Sequence, residues 1–443
     1  MQITLIKPNM GRLAEGPFVD EARMEPLGLG VLAALTPPGV DIRLWDERLD
    51  AVDFDEATDL VAITVEAFTA RRAYEIADEY RARGVRVVMG GMQATLIPDE
   101  VAEHADSVYI GDAEAMWPQV VSDAHEGRLR PRYHAPFGPV QPNGLQPRRD
   151  LYHRGGYLPL SLLQFGRGCR FMCEFCAVGA FFCHHHYHRP VAEVVAEVRA
   201  QPRRNIFFVD DNIIAEHDEA KELMRALEPL GIHWVSQASV DQVRDPELMD
   251  LMAASGCLGN VIGFESLDPD NLAQMHKGQN LSRFDQYAEL VAELRRRHLQ
   301  TWAAFLLGYD HETPESALAT CEWAIANKFT FAAFNILTPY PGTPLYERLR
   351  DEGRLLYDGR WWLHPDYRFN YAAYRPARMT ADELTEAGWQ CRQRFNSLSS
   401  IARRALEPHT NLASPFRMAL YAMYNPLYRK ESFKRQGLLL GHQ

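Results

Sequence analysis

A chain of 443 residues, 47% hydrophobic and 24% charged, is long enough for two or three folded domains, each with its own core. Its formal charge of −12 argues against a duplex nucleic-acid partner, which needs a basic face, and seven cysteines, an odd number with three crowded into one stretch, argue against a disulfide framework. No apolar run approaches membrane-spanning length, and the chain passes from Met1 straight into a strand-like segment, so we expect no signal peptide and a reducing, cytoplasmic setting.

Residues 1–140 alternate short apolar runs with helical patterns, as a parallel sheet with crossover helices does. Ile3–Ile6, Asp41–Trp45, Leu60–Val65, Val85–Met89 and Ser107–Ile110 read as buried strands; Leu27–Leu35, Ala70–Arg83 and Pro98–His104 read as helices. The class is α/β and doubly wound, and such a sheet takes its ligand at the carboxyl ends of its strands. Those ends carry Thr64, Gly90, Gly91 and Gly111, and glycine there lets a backbone come close to a ligand. A linker over 141–160 follows, within a stretch of about 136–160 that is rich in Pro, Gly and Arg and includes Pro136, Pro139, Pro142, Gly144, Pro147, Gly155 and Gly156.

The alternation resumes over 161–350 with six further β/α units, whose strands read Ser161–Phe165, Asn205–Val209, Trp234–Ser239, Asn260–Phe264, Trp302–Leu307 and Phe331–Leu337. Helix starts are well marked: Asp245-Pro246 and Thr313-Pro314 each pair an N-cap with a first-turn proline. Directly after the first of these strands stand Cys169, Cys173 and Cys176, spaced four and then three apart with Phe175 before the last. Three thiolates on one short loop can grip three irons of a cubane [4Fe-4S] cluster and leave the fourth iron open to a small molecule. Zinc is the other reading, with Cys183 or one of His184, His185 and His186 as a fourth ligand, but zinc sites draw ligands in two pairs rather than one tight trio. We assign the histidine run no role.

The trio in this context resembles the radical S-adenosylmethionine (SAM) enzymes, which implies that the open iron chelates SAM and that the barrel is the partial, six-unit barrel of that family. Further residues carry the likeness. Asp210-Asp211-Asn212 stands where the family holds the SAM amino group, and is equally suited to cap a helix. Gly263 and Glu265 resemble the Gly-x-x-Glu signature near the adenosyl group. Gln237 and Ser239 either reach SAM or are satisfied inside the barrel. Upstream, Glu25-Pro26-Leu27-Gly28-Leu29, Thr64, Gly90-Gly91 and Ile110-Gly111-Asp112-Ala113-Glu114 are similar to the cobalamin-binding domain of the B12-type members, implying that Thr64, Gly90 and Gly91 line the slot for the nucleotide tail. The Asp-x-His-x-x-Gly motif that supplies a cobalt ligand in cobalamin mutases is absent. Phe208–Asn212, Ile262–Ser266 and Asn335–Pro344 are most similar to the branch that includes the hopanoid lipid methylases.

The resemblance implies reductive cleavage of SAM to a 5′-deoxyadenosyl radical, served by an electron donor such as flavodoxin or ferredoxin, and cobalamin-dependent methylation of an unactivated carbon on a small-molecule or lipid-like substrate. Radical rearrangement, cyclisation or carbon–carbon bond formation without methyl transfer is the alternative, and a non-catalytic iron–sulfur protein the remote one. Tyr309, Asp310 and Tyr340, at the last two strand ends, are candidates for the substrate side or for capping their loops. The tail, 351–443, reads as a mainly helical extension. Trp361, Trp362, Tyr367, Phe369, Tyr371 and Tyr374 are expected to close the barrel, and Thr380 with Glu383 to open a helix through about Leu406. Phe416–Lys434, aromatic and basic, suits weak peripheral contact with an anionic membrane, or a helix packed on the barrel with its charges in water.

Overall fold

The computed structural model describes residues 1–11, 23–136, 138, 144–152 and 155–441; Pro139 and Pro142 of the expected linker lie outside them. Six parallel strands make the first sheet: β1 (Gln2–Lys7), β2 (Asp41–Asp46), β3 (Leu60–Thr64), β4 (Arg86–Gly90), β5 (Ser107–Ile110) and β6 (Arg132–His134). Their spatial order, β2-β1-β3-β4-β5-β6, reverses direction between β1 and β3, the switch point at which doubly wound sheets bind ligands. Five of these strands were legible from their apolar runs. β6 was not, because Arg132-Tyr133-His134 buries only Tyr133 and so shows no run at all.

Next come β7 (Ser161–Leu163), β8 (Gly166–Gly168) and β9 (His186–His188), then β10 (Asn205–Phe208), β11 (His233–Ala238), β12 (Cys257–Glu265), β13 (Gln300–Leu307) and β14 (Phe331–Ile336). The second sheet is parallel in the order β14-β13-β12-β11-β10-β7, an open six-stranded wall. β8 and β9 stand apart as an antiparallel pair, Gly166 opposite His188 and Gly168 opposite His186. Of the histidine run only His186 lies in β9, the strand that closes the loop bearing the cysteines, and His184 and His185 lead into it.

Two expectations for the tail need correction. The helix opened by Thr380 ends at Phe395, and Ser397 caps a new one, Leu398–Ala405, its side chain accepting from the Ser400 N–H. A serine oxygen competing for backbone donors breaks the run where apolar spacing alone would continue it. Trp361, Trp362 and Tyr367 do not close the barrel's open side; they pack with Tyr74, Val101 and Met89 of the first sheet's core. Trp362 donates to Glu100 at 2.8 Å and Trp361 to the Pro339 carbonyl at 2.8 Å, so the aromatic run seals the seam between the two sheets. Tyr374 alone of the group joins the barrel's core.

The candidate site between the two sheets

The cysteine loop is held by backbone geometry. Gly168 has φ +82°, and a Cβ there would run into the His185 carbonyl, so only glycine turns the chain from β8 into the trio. Cys176 then caps a short helix, Ala177–Phe181, with its N–H donating to the Cys173 carbonyl at 3.1 Å. Burial raises all three thiols, Cys173 to about 12, so the protons must leave as a metal binds. Among the described residues no three His, Cys, Asp or Glu side chains converge on a single-ion site. A cubane spreads its thiolates over separate irons, an arrangement that three cysteines on one short loop suit.

The acidic motif divides its labour. Asp210 is fully buried, accepting from the backbone N–H of Phe165 at 3.0 Å and from that of Gly166; burial lifts its carboxyl to about 7. Asp211 accepts from Gly168 N–H at 2.8 Å and also faces the cavity. Asn212 exchanges hydrogen bonds with Ser239, and Gln237 donates to the Asp210 carbonyl at 3.3 Å. Asp210, Asn212, Gln237 and Ser239 thus brace one another and the cysteine loop, while only Asp211 of the set lines the cavity.

Glu265 sits at a bulge in β12 with φ +64° and pairs at 3.0 Å with Lys277. Gly263 makes that pair possible, since a Cβ there would meet the Glu265 carboxylate and lie 3.2 Å from Lys277 Nζ. Burial opposes the charge on Lys277, but Glu265 and Cys173 outweigh it and keep it protonated; the ammonium also lies 6.0 Å from the Phe175 ring centre. Sequence reasoning missed Lys277. Nothing in Met275-His276-Lys277-Gly278 marks it, because an isolated lysine is a surface residue in most folds.

One cavity of about 1000 Å³ joins the two sheets at their carboxyl ends. From the barrel side it is walled by Phe175, Cys176, Asp211, Leu306 and Ile336, and from the other by Thr64, Gly90, Gly91 and Gly111. Gly91 (φ +106°) would bring a Cβ within 2.9 Å of the Val65 carbonyl, and Gly111 (φ +92°) within 2.8 Å of the Ala135 carbonyl. At Gly90 a Cβ would meet nothing closer than Tyr109 at 3.5 Å, and Leu29, Ala62 and Val88 line the same cavity. That cradle fits the narrow tail of a corrinoid, and no histidine lines the cavity among the described residues. Arg167 clamps the seam, reaching from β8 to Asp112 (3.2 Å) and Glu114 (2.7 Å).

Of the three substrate-side candidates, Tyr340 lines the cavity, close enough to Glu66 and Cys176 for both to bear on its hydroxyl. Tyr309 and Asp310 are outside the cavity wall. Tyr309 is 1% exposed behind Phe175, with ring centres 6.4 Å apart. Asp310 is saturated, accepting from Gln274 (2.6 Å), Arg348 (2.9 Å) and Arg354 (2.6 Å), and Arg348 passes the link to Glu174 inside the cysteine loop at 2.9 Å. A strand-end acid next to two arginines that are remote in sequence is a brace, which position alone does not distinguish from a catalytic group. Asp310→Ala removes one partner from each arginine, while Arg348 keeps Glu174 and Arg354 keeps Glu352, and we expect a loss of about 1 kcal/mol in thermal unfolding with iron content unchanged.

Comparison with known proteins agrees with this geometry. Residues 163–324 match the model of the Radical SAM superfamily. The chain is 30% identical over 391 residues to the bacteriochlorophyllide d C-12(1)-methyltransferase of Chlorobaculum tepidum, covering 86% of this chain and 84% of that one. It is 25% identical to the hopanoid C-2 methylase of Rhodopseudomonas palustris, over 77% of this chain and 68% of the relative. In fold it is similar to the solved radical SAM methyltransferase TsrM from Kitasatospora setae, a structure with cobalamin and a [4Fe-4S] cluster bound, at a TM-score of 0.61 and 21% identity over 79% of this chain and 75% of that one.

Proposed function

We propose that this chain, which belongs to the radical SAM methyltransferases, is of the cobalamin-dependent kind and methylates an unactivated carbon of a small, largely apolar molecule held between its two sheets. The single observation that carries this reading is the shared cavity, where Cys176 and Asp211 face Thr64, Gly90 and Gly91 across one space. When bound, the cluster with SAM supplies a hydrogen-abstracting radical, and cobalamin supplies the methyl group, chemistry that belongs to the cofactors while the protein aligns them.

The protein's part is assigned residue by residue. Cys169, Cys173 and Cys176 hold the cluster. Asp211, with Glu265 and Lys277 beside the loop, offers both charge signs to a bound amino acid: a carboxylate attracts an ammonium, and a buried ammonium attracts a carboxylate. Phe175 covers this end of the cavity. Thr64 and Gly90 line the corrinoid side of the cavity, with Gly91 and Gly111 bending the backbone around it. Tyr340 and the apolar side chains of Phe68, Leu306, Ile336 and Leu337 enclose the remaining space, which excludes water from a reactive intermediate. An external one-electron donor completes the system.

The relatives supply two candidate substrates, bacteriochlorophyllide d and a hopanoid. Incubating the anaerobically reconstituted enzyme with each, SAM, cobalamin and a reductant should yield S-adenosylhomocysteine and 5′-deoxyadenosine in equal amounts, with the SAM methyl group in the product. 5′-Deoxyadenosine without S-adenosylhomocysteine, on a substrate that is turned over, would replace methyl transfer with rearrangement or ring closure.

A further inference from the structure

The C-terminal helices are amphipathic in the inverse sense. In the helix Pro415–Arg435 the outward positions Phe416, Ala419, Ala422, Met423 and Leu427 recur at helical spacing, and no charge interrupts them until Lys430. Its inward face is polar: Tyr421 donates to the Ile401 carbonyl (2.8 Å), Asn425 accepts from Arg404 (3.3 Å), and Tyr428 donates to the Ala332 carbonyl (3.3 Å). These bonds fix the helix's rotation, because turning the apolar stripe inward would strip buried polar groups of their partners. The preceding helix repeats the arrangement, burying Ser400 and Arg404 and exposing Leu398 and Ala402. Of eight large hydrophobic side chains exposed among the described residues, six (Leu398, Leu406, Leu412, Phe416, Met423 and Leu427) fall in this one region. Scattered apolar residues need no partner, but a concentration on adjacent helices marks a docking surface.

We infer that this face docks on the surface of an anionic lipid bilayer. Charge decides the occupant. Between 398 and 435 the chain carries seven basic residues and two acidic ones, in a protein of net charge −12. One of the two acids, Glu407, is buried and spent on Thr410, and one of the seven bases, Arg404, is buried and spent on the Phe329 and Thr330 carbonyls, so six bases stand against one acid. Arg403 and Lys430 are exposed at the rim of the patch. An apolar stripe with a basic rim lies in the headgroup layer, apolar side down, and the acidic remainder of the molecule is held off by the same field. A second copy of the chain is the poorer occupant, because symmetric pairing through this face would bring the two basic rims together. No helix among the described residues is long and apolar enough to cross a membrane, so the contact is peripheral.

Vesicle flotation of the full chain tests the inference. Phosphatidylcholine vesicles containing about a third phosphatidylglycerol should carry the protein upward, salt should weaken the effect, and pure phosphatidylcholine should carry roughly tenfold less. The variant Met423→Glu/Leu427→Glu should lose at least about tenfold of the binding while keeping its melting temperature, since both side chains already face water. Arg403→Gln/Lys430→Gln should lose chiefly the salt-sensitive part. Absence of co-flotation with the anionic vesicles, or undiminished binding by the glutamate variant, would overturn the inference. So would a stable dimer in sedimentation that the glutamate variant dissociates. Product counting at the cavity is read separately, so failure of the docking face leaves the methylation reading untouched, and the reverse.

Discussion

Alanine at Cys169, Cys173 or Cys176 should abolish 5′-deoxyadenosine formation and drop iron and sulfide to background in anaerobically reconstituted protein. We expect the largest effect here because each thiolate would hold one iron, and none of Cys183, Cys257, Cys321 and Cys391 lines the cavity. Cys183 is exposed in a left-handed turn, and Cys257, Cys321 and Cys391 are buried in the barrel's core away from the cavity wall. The fold should survive these changes, since the loop is shaped by the Asp210 and Asp211 bonds to the backbone of Phe165, Gly166 and Gly168 rather than by the thiols. Cys183→Ala is the matched control and should keep full iron content. Reductive cleavage of SAM by the triple variant would remove the cluster from these residues.

Leucine at Gly90 should exclude cobalamin while leaving the cluster in place. A first methyl group fits at that position, 3.5 Å from Tyr109, but the rest of the side chain enters the cavity. Overfilling of this kind costs about 1–3 kcal/mol, or roughly 5- to 150-fold in corrinoid affinity. Gly91 is the wrong place for the same probe, since its φ of +106° and the Val65 carbonyl 2.9 Å from any Cβ make a substitution there a test of folding instead. The measurement is corrinoid and iron content on one preparation of Gly90→Leu. Loss of corrinoid alone agrees with the assignment. Undiminished corrinoid would move the tail elsewhere, and loss of both would mean that the two halves of the site fold as one.

Much of this architecture can be read from the chain before it folds, for a local reason. The cysteine trio is a single loop, so its ligand spacing is written consecutively in the sequence, and buried parallel strands announce themselves as apolar runs between glycines and helix caps. The doubly wound sheet, the six-stranded barrel wall and the metal-binding loop all follow from such short-range pattern. What depends on which strand ends face each other does not. That Cys176 and Gly90 line one cavity, that Asp310 is held by Arg348 and Arg354 outside its wall, and that Lys277 is buried against Glu265 all arise from contacts between segments separated in the chain, where a residue's type says nothing of its partner.

The C-terminal helix makes the distinction sharpest. Helical spacing in the sequence tells that Phe416, Met423 and Leu427 share a face, and by the usual rule that face would be buried. The tertiary structure turns it outward, because Arg404, Asn425 and Tyr421 need one another and the barrel's free carbonyls more than the apolar side chains need cover. Periodicity determines which residues stand together; only the packed molecule decides which side of them meets water.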